Sequence, residues 1–205
     1  MILRMVLALM GVVSVLGAQG FRPSGATPPP LMREFRGAWS ACIYNLDWPS
    51  RAGLSAAQQQ AELKAIIEKM SRLNLNALIF QVRPQCDAVY ASSREPWTPW
   101  LTGRMGQGPG YDPLSFAIRE AHRRGIEVHA WFNPFRALSN VSASTCPSHL
   151  SRSAPQLTRR YGSLLWCDPA QAATRQRALQ VMLDVLQRYD VDGIHIDDYF
   201  YPYPQ

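Results

Sequence analysis

The sequence predicts an α/β fold, an incomplete (β/α)8 barrel of the TIM type with about four parallel β/α units. Apolar runs of strand length alternate with amphipathic helices, and this order requires parallel strands joined by right-handed crossovers. The loops after the strands are long, and a (β/α)8 barrel builds its active site from such loops. A full barrel takes about 250 residues, whereas the chain has 205. A fragment of a longer protein, a truncated gene or two copies that complete each other would explain this length, and we favour the fragment.

The composition is that of a globular protein, with 47% hydrophobic and 18% charged residues, which is too apolar for a disordered chain. Lys and Arg together number 21 against 15 Asp and Glu, but the arginines are scattered along the chain. Nucleic-acid binding normally requires a basic stripe or cluster. We therefore expect no nucleic-acid partner.

Residues 1–20 have the order of a secretory signal peptide, with Arg4, an apolar stretch and then the small residues Gly17 and Ala18. The apolar stretch is shorter than the roughly 20 residues of a membrane-spanning helix. We expect cleavage, export to the periplasm or the extracellular space, and no stable membrane insertion afterwards; an uncleaved anchor is the alternative. Residues 21–33 are a predicted Pro-rich linker, and residues 34–205 are the predicted partial barrel domain.

Four segments are predicted strands, and the second is an almost continuous apolar run that suits burial on both faces. The strands cover residues 35–42, 76–82, 127–133 and 192–197. Three helices connect them. Ser55 and Gln58 form a capping box at the start of the first helix, and Asp-Pro dipeptides at residues 112–113 and 168–169 begin the second and third. The side chains expected to face the core are Leu63, Ile66, Ile67, Met70 and Leu73 in the first helix and Leu179, Met182, Val185, Leu186 and Tyr189 in the third.

The four cysteines lack the C-x-x-C spacing of a zinc site, and four cysteines allow three full disulfide pairings. Cys42 and Cys86 follow adjacent predicted strands and could approach each other, while a bond between Cys146 and Cys167 would staple a long loop. Free buried thiols are the alternative, because connectivity cannot be deduced from sequence.

The fourth strand and its loop, VDGIHIDDYFYPYP, are the most informative segment. Period-two alternation places His195 and Asp197 on one face and Asp198 on the other. A carboxylate aimed into a barrel is costly to bury unless it is used, so Asp197 is a candidate catalytic group. Asp197 and Asp198 could alternatively cap the following turn.

Polar and aromatic side chains also share one face of the third strand, EVHAWFNPFR. Trp131 and Asn133 suit sugar recognition, in which a ring stacks on an aromatic plane and amides hold hydroxyl groups, whereas His129 could simply be a core histidine. On the second strand, Arg83 is expected to enter the same lumen as Asp197 and to orient it by a bidentate contact. A structural salt bridge inside the barrel is the alternative role of Arg83.

Other catalytic motifs are absent from the sequence. It contains no Gly-rich phosphate loop, no G-x-S-x-G and no H-E-x-x-H. His195 and Asp197, with His129 as a third ligand, could bind a metal, but a site with fewer than three clear ligands is a weak signal. We expect no cofactor and no metal.

Four segments together carry a resemblance to a known family. REFRGAWSACIYNLDWPS, NALIFQVRPQCDAVYASSREPW, EVHAWFNPFR and RYDVDGIHIDDYFYPYP resemble the successive strand motifs of the glycosyl-hydrolase-like family 10 domain, a bacterial exported (β/α)8-type domain. The resemblance implies hydrolysis of glycosidic bonds in cell-envelope polysaccharide, with peptide-free glycan strands of peptidoglycan as the favoured substrate. The fourth segment more distantly resembles that of alpha-amylase-type barrels, in which a nucleophilic Asp occupies the position of Asp197.

In this interpretation the chain is the amino-terminal part of a glycoside hydrolase with Asp197 as its catalytic carboxylate. The predicted substrate-binding residues are Arg83, Trp131, Asn133, His195, Asp198 and Tyr199. Glycosidases need two carboxyl groups that flank the scissile bond, and we expect the general acid on a later strand, so the chain alone is predicted to be inactive. The alternatives are a carbohydrate-binding protein that has lost catalysis and a metal-dependent polysaccharide hydrolase or deacetylase.

Overall fold

The computed structural model of the protein describes residue 25, residues 34–197 and residues 200–202. Its centre is a four-stranded sheet in the order β1 (Gly37–Ser40), β2 (Ala77–Arg83), β3 (Glu127–Phe132) and β7 (Gly193–Ile196). All three neighbouring pairs in this sheet are parallel. The predicted α/β fold with four parallel strands in chain order is therefore confirmed.

Three long helices connect these strands: α1 (Ala56–Arg72), α2 (Pro113–His122) and α3 (Ala172–Arg188). The predicted capping box is present, because Ser55 accepts from the backbone N–H of Gln58 and the Gln58 side chain accepts from the Ser55 backbone. Asp112 caps α2 as predicted and accepts from the Ser115 N–H at 3.0 Å. These caps satisfy backbone N–H groups that have no partner inside the helix.

The predicted start of α3 was wrong. The residue before the helix is Gln171, which makes no side-chain cap, and Asp168 instead accepts from the backbone N–H of Ala170 at 3.1 Å. Asp168 therefore closes the turn that precedes the helix. The Asp-Pro dipeptide marks the turn correctly but places the helix start too early.

The core lies between the sheet and the helices. Every second side chain of β2 and β3 points toward the helices, and the side chains between them point to the opposite face of the sheet, called the inner face below. The helix-facing side chains belong to the main buried cluster: Leu78, Phe80, Val82, Val128, Ala130 and Phe132. On α1 the predicted face is confirmed for Leu63, Ile67 and Met70, which are buried, and Ile66 packs beside them, whereas Leu73 is exposed.

The predicted face of α3 was wrong in part. Its buried residues are Thr174, Ala178, Val181 and Val185, whereas Leu179 and Leu186 are 48% and 49% exposed. The buried face of α3 therefore carries smaller side chains than the predicted one. The predicted residues Met182 and Tyr189 pack at the margin of this face.

A second, antiparallel sheet occupies the segment after β3, which the sequence presented only as a long loop. It consists of β4 (Arg136–Leu138), β5 (Thr158–Tyr161) and β6 (Leu164–Cys167), in the order β4-β6-β5. Short helical turns cover Ile43–Asn45, Pro99–Thr102, Leu150–Ser153 and Pro155–Leu157. Cys86, Ala137, Leu150 and Cys167 form a small second core beside this sheet.

Neither predicted disulfide pairing is formed. All four cysteines are free thiols, with Cys42, Cys86 and Cys167 buried and Cys146 partly buried. The Cys86 sulfur lies beside the sulfur of Cys167, at 3.2 Å. The alternative of free thiols is the one that the structure shows.

No helix in the described part of the chain is both long and apolar enough to cross a membrane. The predicted signal peptide lies outside that part, as does the predicted linker except for Gly25.

Candidate active site

A row of hydrogen-bonded polar side chains crosses the carboxyl ends of the parallel strands. Gln81 of β2 donates through Nε2 to Asn133 Oδ1 at 2.8 Å, and Asn133 donates through Nδ2 to Asp197 Oδ1 at 2.7 Å. Arg136 donates to the same Asn133 oxygen at 3.2 Å. The row therefore joins three strands at the end where a (β/α)8 barrel places its catalytic residues.

The backbone determines which way the two amides in this row are turned. Gln81 Oε1 accepts from the backbone N–H groups of Cys42 and Ile43, both at 3.0 Å, and a backbone N–H can only donate. The Gln81 Nε2 group must then face Asn133, and the Asn133 N–H group must face Asp197. The loop after β1 thus fixes a hydrogen-bond donor on the candidate catalytic carboxylate.

These contacts settle the placement of two predicted site residues. Asn133 and Asp197 meet as expected, because alternation along β3 and β7 turns both toward the inner face. Gln81, which the sequence analysis left without a site role, is the link between them. Gln81 lies two residues before Arg83, and residues two apart in a strand point to the same face. This spacing could have identified Gln81 as a site residue.

Arg83 was expected to hold Asp197, and this expectation was wrong. Its bidentate partner is Glu95, with Nε and Nη2 each 2.7 Å from a carboxylate oxygen. The other nitrogen, Nη1, donates to the carbonyl groups of Asn133 and Pro134 at 2.6 and 3.0 Å. Both members of the Arg83–Glu95 pair are buried, with 1% and 0% of their side chains exposed, so the structural salt bridge is the role that the structure shows.

The pairing of β2 with β3 shifts register between Gln81 and Arg83, where the Arg83 side chain turns to Glu95. Glu95 lies in the loop after β2, where no periodicity marks it in the sequence. The ion pair ties this loop to the backbone just after β3, next to Asn133. Arg83 therefore holds the backbone beside Asn133 in place and does not contact Asp197.

Asp87 is a second buried carboxyl group in the loop after β2. Burial raises its pKa to about 7, although the nearby Thr98 hydroxyl and a hydrogen bond from the Gln85 N–H act in the opposite direction. The Gln85 N–H lies 3.0 Å from Oδ1, while Oδ2 is buried without a hydrogen-bond partner. The side chain is fully buried, so it cannot touch a sugar.

Aromatic rings cover the inner face of the sheet below Asp197. The ring centroids of Trp39 and Trp131 lie 5.2 Å apart, and His195 stands edge-on to Trp39 at the same distance. Trp39 is 57% exposed in the 205-residue chain. Trp131 and His195 lie on the predicted face, whereas Trp39 was not among the predicted site residues.

His129 lies toward the opposite end of the same face. Its Nε2 is 3.1 Å from Glu127 Oε2, and its ring covers Gly193, where a Cβ atom would lie 2.5 Å from Nδ1. Within the described residues no three His, Cys, Asp or Glu side chains come together as metal ligands. The hypothetical set of His129, His195 and Asp197 is therefore not assembled.

Two predicted substrate-binding residues, Asp198 and Tyr199, lie outside the described residues. The next described residue is Phe200, and its backbone carbonyl accepts a hydrogen bond from Trp166 Nε1 at 3.0 Å. This bond attaches the segment after β7 to the antiparallel sheet.

The sequence from residue 34 to residue 205 matches the family model described as Glycosyl hydrolase-like 10. The chain belongs to this family. It is 40% identical over 173 residues to glycosyl hydrolase YngK of Bacillus subtilis (strain 168), covering 83% of this chain and 34% of the relative. It is 34% identical over 200 residues to glycosyl hydrolase DigH of Escherichia coli (strain K12), covering 87% of this chain and 46% of the relative. The chain thus spans less than half the length of these relatives.

Solved structures of glycosidases share the fold of this family member. Alpha-L-fucosidase isoenzyme 2 from Paenibacillus thiaminolyticus superposes with a TM-score of 0.52 at 12% identity, over 81% of this chain and 24% of that one. The maltogenic alpha-amylase AmyB from Thermotoga neapolitana superposes with a TM-score of 0.50 at 14% identity, over 80% of this chain and 38% of that one. Together with the four parallel strands, these similarities identify the fold as an incomplete (β/α)8 barrel.

Proposed function

We propose that this chain is the amino-terminal part of a glycoside hydrolase in which Asp197 is the catalytic carboxylate. The observation that carries the proposal is the hydrogen-bonded row from Gln81 through Asn133 to Asp197. It holds a carboxyl group in one orientation at the carboxyl ends of the strands, which is where (β/α)8 enzymes carry out their chemistry. Membership of the Glycosyl hydrolase-like 10 family supports the reaction class.

The role of Asp197 follows from the charge that develops during glycosidic cleavage. The transition state resembles an oxocarbenium ion, and a carboxylate either attacks the anomeric carbon or stabilises its positive charge. Asn133 holds one oxygen of Asp197 at 2.7 Å and so limits the rotation of the carboxylate. A preoriented group needs less reorganisation when the charge develops.

The aromatic face beside Asp197 is the proposed sugar platform. A pyranose ring presents C–H groups that pack against an aromatic plane, and the rings of Trp39 and Trp131 lie side by side on the inner face of the sheet. Peptide-free glycan strands of peptidoglycan, reached after export to the periplasm or the extracellular space, remain the proposed substrate. Cell fractionation of the full-length protein with and without residues 1–20 tests the proposed export.

The experiment compares Asp197→Asn with the wild type in the full-length protein, using purified peptide-free glycan strands and measuring released reducing ends. The substitution keeps the size of the side chain, and we expect turnover to fall by on the order of a thousandfold or more. Asp190→Asn is the matched control, because Asp190 precedes β7 and its side chain is 94% exposed. Retained turnover in Asp197→Asn would place the catalytic carboxylate elsewhere.

The second carboxyl group is proposed to lie on a later strand of the full-length protein. In the described part of this chain, Asp87 and Glu95 of the loop after β2 are buried and cannot reach a substrate. Glu127 is the first residue of β3 and so lies at the end of the sheet away from Asp197. We therefore expect the 205-residue chain to release no reducing ends from glycan strands. Turnover by this chain would contradict that expectation.

A carbohydrate-binding protein without catalysis is the second candidate, and the adjacent Trp39 and Trp131 rings favour it. The two functions separate when binding and turnover of glycan strands are measured on the same full-length sample. Binding that weakens in Trp39→Ala, without turnover in the wild type, would support the binding protein and exclude the hydrolase.

A further inference from the structure

We propose that Cys86 and Cys167 form a disulfide bond in the oxidised protein, while Cys42 and Cys146 remain thiols. The Cys86 and Cys167 sulfurs lie 3.2 Å apart, and a disulfide bond is about 2 Å long. A small displacement therefore converts the contact into a bond. The bond would join the loop after β2 to the end of β6 and crosslink the small second core. The proposal does not depend on the proposed glycosidase function.

The backbone around Cys86 is held in a conformation that aims its side chain at Cys167. Its φ of 55° lies in the left-handed region, which residues other than glycine adopt at an energetic cost. The turn is fixed on both sides, because the Gln85 N–H donates to Asp87 Oδ1 at 3.0 Å and the Gln85 carbonyl accepts from His149 Nε2 at 3.1 Å. These bonds maintain the unfavourable conformation and, with it, the contact between the sulfurs.

Charge makes the two thiols unequal. The hydrogen-bond contact with the Cys167 sulfur and the positive charge of the nearby Arg83 guanidinium lower the pKa of Cys86 against the opposing effect of burial. The same hydrogen bond, together with burial, raises the pKa of Cys167. Arg83 Nη2 lies 3.1 Å from the Cys86 sulfur. Cys86 is therefore the thiolate nucleophile of the pair, and Cys167 holds the remaining proton.

The oxidant is a small-molecule or protein disulfide, and glutathione disulfide serves as its representative in the exchange below. Because both sulfurs are buried in the folded chain, the exchange takes place before the small second core has closed around them. The Cys86 thiolate attacks one sulfur of the oxidant, forms a mixed disulfide and releases one glutathione thiolate. The Cys167 sulfur then attacks Cys86, forms the intramolecular bond and releases the second glutathione. Two electrons pass from the cysteine sulfurs to the oxidant. The Cys167 proton goes to one released glutathione thiolate, and the other thiolate takes up from solvent the proton that Cys86 gave up on ionisation.

The other two cysteines lack such a partner. The Cys42 sulfur contacts Gln81 Oε1 at 3.6 Å, and burial raises its pKa well above the ordinary value. The Cys146 sulfur contacts Ser148 Oγ at 3.3 Å. Among the four cysteines, all of which the structure describes, only Cys86 and Cys167 have sulfurs in contact.

The test is to fold the full-length protein in glutathione disulfide, block free thiols with an alkylating reagent and map the peptides by mass spectrometry without reductant. We expect one crosslinked peptide pair that contains Cys86 and Cys167, two hydrogen atoms lighter than the reduced pair, and alkylated Cys42 and Cys146. We also expect the thermal midpoint to exceed that of the reduced protein by about 5 °C or more.

Two variants provide the controls. Cys42→Ala/Cys146→Ser should retain the crosslink and the rise in midpoint, whereas Cys86→Ser/Cys167→Ser should lose both. Mapping of the wild type decides the matter even where a variant fails to fold. A crosslink between Cys42 and Cys86 or between Cys146 and Cys167, or alkylation of all four cysteines after folding in oxidant, would overturn the proposal.

Discussion

Asp87 should make the protein less stable as the pH rises, and Asp87→Asn should remove this effect. The carboxyl group is fully buried, and burial raises its pKa to about 7 from an ordinary value of 3.8. The folded protein therefore keeps the Asp87 proton up to about pH 7, whereas the unfolded chain releases it near pH 4. Asparagine has the same shape, remains neutral at every pH and can accept the Gln85 N–H through its own carbonyl oxygen.

The sign and size follow from proton binding. Between about pH 4 and pH 7 the folded state binds one more proton than the unfolded state, so the free energy of unfolding falls with increasing pH. The stabilisation is complete below the unfolded pKa and is lost by the time the pH passes the folded value. Each pH unit in this window is worth about 1.4 kcal/mol. From pH 5 to pH 8 the wild type should thus lose about 3 kcal/mol relative to the variant.

The measurement is urea unfolding of both proteins from pH 5 to pH 8. Taking the difference between them cancels other groups that titrate in this range, such as His149, whose pKa is lowered because burial disfavours its charged form. Asp190→Asn removes an exposed carboxyl group 3.8 Å from the His122 ring and should change the free energy of unfolding by less than about 1 kcal/mol at any pH. A difference between Asp87→Asn and wild type that stays constant within about 0.5 kcal/mol across this range would refute the argument.

Three other substitutions test the packing and polar contacts by the same unfolding assay. Glu95→Gln leaves the buried Arg83 charge without its counter-charge and should cost about 3–5 kcal/mol; a cost below about 1 kcal/mol would show that the pair is not buried in solution. Ser55→Ala removes one half of the capping box and should cost about 1 kcal/mol, whereas no change would mean that the cap is not formed. Gly193→Ala places a Cβ atom against the His129 ring and should cost about 1–3 kcal/mol. Adding His129→Ala should relieve much of this last loss, and an unrelieved loss would contradict the close approach.

The parallel sheet could be predicted from the sequence because its strands are apolar runs between amphipathic helices. The antiparallel sheet after β3 could not, because its strands have three or four residues each and no amphipathic helices separate them and mark them as strands. The face of α3 was misjudged for a different reason. Hydrophobicity favoured Leu179 and Leu186, whereas the buried face carries the smaller Ala178 and Val181.

Part of the candidate site could likewise be predicted from the sequence and part could not. Alternation along β3 and β7 correctly brought Asn133 and Asp197 together, because side-chain direction in a strand depends only on sequence position. The partner of Arg83 could not be found by this rule. Glu95 lies in an irregular loop, so only its position in space identifies it as the counter-charge.

The amide orientation at Gln81 has a consequence for how the site comes into existence. The donor that reaches Asp197 on the last described strand is turned by peptide groups that follow the first one. The local geometry of that carboxyl group is therefore a property of the whole sheet, complete only when all four strands have docked. A substitution that displaces the backbone N–H groups of Cys42 and Ile43 should therefore change the orientation of the Asp197 carboxylate, although the loop and Asp197 lie at opposite edges of the sheet.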